Sequence, residues 1–239
     1  MYIKLIVKLL SLFDYFHKKK IINFLKREKL VNIEIFFDVG GHYGETINLF
    51  NKNFKIQNFF TFEASPINFK ILKKKIEKFG NDKIRLFNIA LGDENKEVEF
   101  NQAFETQSST LLQINKNSKY FIRKRNILSL KNSNYFEQTI KINSMTLQKF
   151  NQKNLIKKID FLKIDTEGYD FNVIKGLGAD ISKVRYIYFE HHFHDMFKKE
   201  HKFSEINSYL VRNNFVKVFK IKMMFRKTFE YIYYNKKFK

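Results

Sequence analysis

The chain has no cysteine and no tryptophan, one proline and eight glycines in 239 residues. Without cysteine there is no disulfide, no thiolate metal centre and no thiol nucleophile. So little proline and glycine excludes collagen-like and low-complexity architectures and leaves no Pro/Gly-rich linker between domains. Acidic residues are scarce as well: 24, against 45 Lys and Arg, for a formal charge of +21. A positive field of that size attracts nucleic acid, anionic lipid and acidic glycans. The joint abundance of Lys, Asn, Ile and Phe also fits the compositional drift of an AT-rich genome. Apolar runs are short. Residues 1–16 are broken by Lys4 and Lys8, fall below the roughly 20 residues a membrane span needs, and carry no small-residue cleavage site of a secretory signal.

What is present is a core. Hydrophobic residues make up 44%, with 29 Phe and 12 Tyr, enough to bury one sizeable domain. Ile3, Ile6, Val7, Leu10 and Phe13 recur at helical spacing, so residues 1–31 are expected to form a basic amphipathic helical leader. It would pack on the domain edge, or meet a membrane surface through Lys18, Lys19, Lys20, Lys26 and Arg27. Residues 32–239 are expected to form a single domain. Residues 33–39 (IEIFFDV), 57–63 (QNFFTFE) and 83–89 read as buried parallel strands, separated by helices at 44–54 and after Ser65-Pro66. That alternation predicts an α/β fold with a parallel sheet wrapped by helices. Residues 97–100 and 136–142 suggest further strands. The polar segment 101–135 reads as an insertion or lid. Residues 159–164 (IDFLKI) and 184–190 (VRYIYFE) are strands, 203–213 is a helix, and 215–221 with 228–234 form an antiparallel hairpin.

Chemistry is expected at the strand-to-helix turns. Asp38-Val39-Gly40-Gly41-His42-Tyr43-Gly44 joins the first strand to its helix, where glycine permits positive φ and close approach of a ligand to the backbone. Glu63 ends the second strand, 25 residues after Asp38, placed to accept hydrogen bonds from both hydroxyls of a ribose. The pattern is not G-x-G-x-x-G, because His42 stands at the second glycine position. An acid ahead of the turn disfavours a pyrophosphate and suits a nucleoside with a cationic amino group, such as S-adenosylmethionine.

The runs FFDVGGHYGET, FTFEASP, NIALGD, QSSTL and IDFLKIDTEGYD, in that order over residues 33–190, resemble the FkbM family of S-adenosylmethionine-dependent methyltransferases. Gly41-His42 and Ala64 depart from the family's usual residues. The resemblance implies a Rossmann-like class I methyltransferase: a mostly parallel seven-stranded sheet, helices on both faces and an antiparallel C-terminal strand. It implies methyl transfer to a hydroxyl of a sugar, glycan or natural product. By the same resemblance, Asp38, Gly40, Gly41 and Gly44 surround the methionine end of the cofactor. Glu63 holds the ribose, and Asn88, Ala90 and Leu91 lie near the adenine. Ser108 and Ser109 match a family serine pair.

In a sheet of order 3-2-1-4-5, Asp165 ends the strand beside the first, at the crevice where ligands bind. Glu167 follows at the expected start of a helix, a place where the macrodipole also favours an acid. His191, His192 and His194 are expected just beyond the next strand. Asp165 or His191 would take the hydroxyl proton, with Glu167 close by. Asp165, Glu190 and His191 could alternatively hold a divalent metal. Two other readings fit the charge: a nucleic-acid methyltransferase, and a non-catalytic basic protein docking on a membrane or assembly. The absence of cysteine and of a signal favours a cytoplasmic protein, with peripheral contact at the inner membrane surface.

Overall fold

A computed structural model describes residues 2–78, 80, 82–103, 108–127 and 136–238. A long helix α1 (Tyr2–Arg27) leads into β1 (Asn32–Val39), α2 (Glu45–Asn51), β2 (Lys55–Phe62), α3 (Pro66–Glu77) and β3 (Ile84–Phe87). Then come β4 (Ala90–Gly92), β5 (Glu97–Ala103), α4 (Lys119–Ile127), β6 (Phe136–Thr146) and α5 (Leu147–Lys153). The chain closes with β7 (Ile159–Ile164), α6 (Asp170–Lys175), β8 (Val184–His192), α7 (Phe203–Arg212), β9 (Phe215–Lys222) and β10 (Thr228–Asn235). Seven strands form one sheet of order β3-β2-β1-β7-β8-β10-β9. β3, β2, β1, β7 and β8 run parallel, while β10 is antiparallel to both its neighbours. The expected fold class is what the structure has, reversal of strand order between β1 and β7 included.

The apolar runs are continuous because both faces of the sheet are covered. Alternate residues go to opposite sides. Phe36, Phe59 and Phe161 pack against Ile47 and Phe50 of α2, Leu72 and Ile76 of α3, and Ile21, Ile22 and Leu25 of α1. Their neighbours Phe37, Phe60 and Leu162 turn to the other side, against α5, α6 and α7. Much of the phenylalanine is stacked here: Phe36 lies 4.4 Å from Phe59 and 5.1 Å from Phe161, ring centre to ring centre. α3 begins as its sequence suggests, with Ser65 Oγ accepting the Asn68 N–H at 3.2 Å and Pro66 in the first turn.

Three features depart from expectation. The N-terminal helix packs more deeply than an edge helix, since Ile21, Ile22 and Leu25 are buried in the core. β4, β6 and β5 make a second, three-stranded sheet, whose β4–β6 pair is parallel and joins segments about fifty residues apart. The described part of 101–135 is packed structure. Asn101–Ala103 belong to β5, Thr110 bridges back to Asn101, and Phe121 of α4 is buried with Met196 and Phe197. The remainder of the expected lid, 104–107 and 128–135, lies outside the described residues. No helix among them is long and apolar enough to cross a membrane.

Candidate active site

The turn after β1 is tied to the end of β2. The N–H groups of Gly40 and Gly41 both donate to the carbonyl of Phe62, at 2.9 and 3.0 Å. The His42 N–H donates to Glu63 Oε2 at 2.7 Å, and the Ser65 N–H donates to Glu63 Oε1 at 2.9 Å. Gly40 has φ +85°, and a Cβ there would sit 1.9 Å from the carbonyl oxygen of Asp165. Glycine is therefore required where β1 and β7 part, to bring the two loops together. Burial raises the Glu63 carboxyl above its ordinary range, against the pull of the Ser65 and His42 N–H groups. Glu45, in the first turn of α2, behaves oppositely. Burial pushes it up, but hydrogen bonding and attraction from His42 outweigh that and take it down to about 2.

Above this turn lies a cavity of about 230 Å³ at the carboxyl ends of the parallel strands, where ligands of open α/β sheets bind. Gly40, Gly41, Glu63, Ala90, Leu91 and Ser109 line one half. Asp165, Glu167 and Glu190 line the other. Strand parity explains the second group. Lys163 pairs with Asp38 and Tyr188 across the sheet, and Glu190 pairs with Glu230. Residues 165, 190 and 230 therefore sit one step nearer the loops on the same face as 38, 163 and 188. This is the face that α1 covers.

Asp38, Gly44, Asn88 and Ser108 stand just outside. Asp38 is fully buried behind Lys163 and does not line the cavity. Gly44, at φ +83°, faces Leu72 of α3. Asn88 donates to the carbonyl of Glu63 at 2.8 Å and so anchors the end of β2. Ser108 accepts from Lys124, while Ser109 Oγ accepts the Ala103 N–H at 3.0 Å. Glu167 is not in a helix: it has φ +51° in the turn before α6, whose first acid is Asp170. Burial, and then the charge of Asp165, push Asp170 up to about 7.

His191 falls on the opposite face from the cavity. β8 runs two residues further than its sequence suggested, so 190 and 191 alternate. The His191 ring packs against Phe193, Phe203 and His201. Burial and nearby Lys199 hold it down at about 3. His192 instead turns toward the acids, its Nε2 3.3 Å from Glu190 and 3.6 Å from Glu167. Burial and His194 hold it well below its ordinary value. The proposed metal trio of Asp165, Glu190 and His191 is thus split across the sheet, and no group of three His, Asp or Glu among the described residues is arranged to hold a metal. Burial, and after it Asp165 and Glu167, raise Glu190 well above the carboxylate range.

Sequence reasoning missed Lys163, His17, Tyr188, Arg226 and Glu230, all of which line the cavity. His17 of α1 pairs with Glu230 of β10, and Arg226 donates to Asp14 at 3.3 Å. Lys163 had a signal: it is the one cation in the otherwise apolar stretch 161–164, two residues before Asp165. The others had none, because only the packing of α1 against the C-terminal hairpin brings them there.

The comparisons agree with this architecture. No curated protein matches the sequence. Among solved structures, the chain is similar to the methyltransferase FkbM from Methylobacillus flagellatus KT, with a TM-score of 0.54 at 13% identity. That match covers 84% of this chain but only 43% of the other, so the chain spans less than half of that relative. It is also similar to magnesium protoporphyrin IX methyltransferase from Synechocystis PCC 6803 with bound S-adenosylmethionine. There the TM-score is 0.52 at 9% identity, over 94% of this chain and 80% of the other. At such identities the likeness is one of fold. The model of the methyltransferase FkbM domain matches residues 38–217, from the buried acid of the glycine turn to the last strands. The chain belongs to the FkbM methyltransferase family.

Proposed function

We propose that the protein transfers a methyl group from S-adenosylmethionine to a hydroxyl of a sugar, glycan or related natural product. One observation carries this reading: a single cavity joins a half suited to a nucleoside and a half rich in carboxylates. The residues fit the cofactor. Glu63 Oε2 accepts one N–H, from His42, which leaves a lone pair for a ribose hydroxyl, while Oε1 already accepts from the Ser65 N–H and, at 3.5 Å, from the Asn68 amide. Phe62, Ile89 and Leu91 offer an apolar wall to the base. Asp165, with Asp38 behind it, supplies negative charge for a cationic amino-acid end. Asp38 Oδ2 has no hydrogen-bond partner. Once bound, the cofactor supplies an electrophilic methyl group.

In this reading the chain positions the acceptor and removes its proton. Alignment of reactants contributes up to roughly 7–11 kcal/mol, and a base about 10²–10⁴-fold. Asp165 is engaged by the cofactor's amino-acid end, so the base by position is Glu167, whose side chain is 20% exposed against 11% for Glu190 and Glu230. Glu190, kept protonated, donates to the acceptor instead. The carboxylates repel phosphodiesters, which disfavours nucleic acid as acceptor. Exposed Lys18, Lys19 and Lys20 beside Tyr15 and Phe16 support peripheral contact with an anionic membrane surface from the cytoplasm.

The test is an acceptor screen with isotopically labelled methyl donor. It should include free sugars, nucleotide sugars, glycan precursors and RNA. Label is expected in a hydroxylated carbohydrate-like acceptor. Label in an RNA base, with none in any hydroxyl compound, would overturn the proposal.

A further inference from the structure

We propose that Lys163 is the positioning residue of the site, a buried ammonium that ties Asp38 of β1 to Asp165 of β7 and holds the Asp165 carboxylate ready for the cofactor's amino-acid end. This rests on the cofactor reading above. Lys163 Nζ lies 3.4 Å from Asp38 Oδ1 and 3.3 Å from Asp165 Oδ2. The side chains of Asp38 and Lys163 are 0% and 10% exposed, so neither charge is shared with bulk water.

The surroundings make this ammonium necessary. Glu63 faces Asp38 from the end of β2, and Glu190 faces Asp165 from β8. Glu230 of β10 adds a further acid, paired with His17 of α1, and Arg226 is held by Asp14. Tyr188 stands beside Lys163 in the sheet register. Buried carboxylates this close cannot all ionise without a counter-charge. Burial pushes Asp38 up to about 6 even with Lys163 beside it. Burial also opposes the charge on Lys163, but Asp165 and Asp38 outweigh it and keep the lysine protonated. Removing the ammonium leaves Asp38 buried and unpaired, a state relieved by taking up a proton. Asp165 then loses its tether.

The experiment is calorimetric titration of the full chain with S-adenosylhomocysteine and with S-adenosylmethionine from pH 5.5 to 9. The proteins are wild type, Lys163→Met and Lys163→Arg. Wild-type affinity is expected to rise through about pH 6. In Lys163→Met that rise should move above pH 7, so affinity at pH 6.5–7 falls about tenfold and recovers only in part toward pH 9, the tether being absent throughout. Lys163→Arg should behave as wild type. A pH profile that does not move, with or without a uniform loss of affinity, or tighter S-adenosylmethionine binding by Lys163→Met at pH 7 overturns the role. If neither nucleoside binds wild type, the cofactor reading falls and takes this proposal with it. Should Lys163→Met not fold, NMR of wild type labelled at lysine Nζ decides. A slowly exchanging ammonium signal that shifts on adding S-adenosylhomocysteine supports the role, and an unmoved one refutes it.

Discussion

Glycine at position 40 answers to backbone rather than ligand. A side chain there would meet the carbonyl of Asp165, and the residue is already in the left-handed region. Gly40→Ala should therefore cost at least the roughly 1–3 kcal/mol of strained backbone. A drop of several degrees in the melting temperature would show it, and an unchanged melt would mean that the β1 and β7 loops part freely. In the cofactor reading Glu63 holds the ribose, and Glu63→Gln keeps its shape but removes its charge. S-adenosylhomocysteine affinity should fall at least tenfold by calorimetry, and the melting temperature should fall as well, because the His42 or the Ser65 N–H then faces an amide NH2 in place of an acceptor.

Both positions were legible in the sequence, since glycine at a turn and an acid at a strand end have few other reasons to be there. Lys163 was not, because a lysine inside an apolar run reads as an interruption until its two carboxylates are placed in space. Asp38 stood out as an acid before the glycine turn, but its setting did not. It sits one layer below the cavity, a depth that spacing along the chain does not encode.

Among the elements, β8 decides which histidine matters. A strand two residues longer than expected reverses the inference for every residue beyond 190. His191 goes to the α7 side, while Glu190 and His192 face the acids. His191→Ala should thus lower stability through lost contacts with Phe203 and Phe193 but leave S-adenosylhomocysteine affinity within about twofold. A tenfold affinity loss at unchanged stability would return His191 to the site. α1 was read from its periodicity as a helix, yet its docking was out of reach. Leu25 is fully buried, and Leu25→Ala should cost about 2–5 kcal/mol in denaturant unfolding, as core truncations do. The second sheet escaped notice because its parallel pairing joins segments separated by the whole of α4.

For the molecule as a whole, two sets of buried groups pull stability in opposite directions with pH. Asp38 and Asp170, raised to about 6 and 7, favour the folded state at low pH and lose that contribution as pH rises from about 4 to 7. His191 and His194, both lowered to about 3, and His192, lowered well below its ordinary value, do the reverse. Their contribution is complete above about 6.5 and is lost as pH falls below it. Glu63 and Glu190 are raised as well and His201 is lowered, four carboxyls against four histidines, so the melting temperature should change little between pH 6.5 and 5. A melting temperature that climbs on acidification would show the carboxyls dominant. The net charge of +21 should also give salt-sensitive retention on polyanions, with no methyl transfer to them.

The family-matched stretch, residues 38–217, contains the glycine turn, Glu63, Lys163 and Asp165. His17, Arg226 and Glu230 lie outside it, on the first helix and the final hairpin. The cavity is thus walled partly by the family-matched stretch and partly by the segments that flank it. Exchanging both flanking segments together for those of a relative should therefore redirect which acceptor is methylated while the grip on the methyl donor persists.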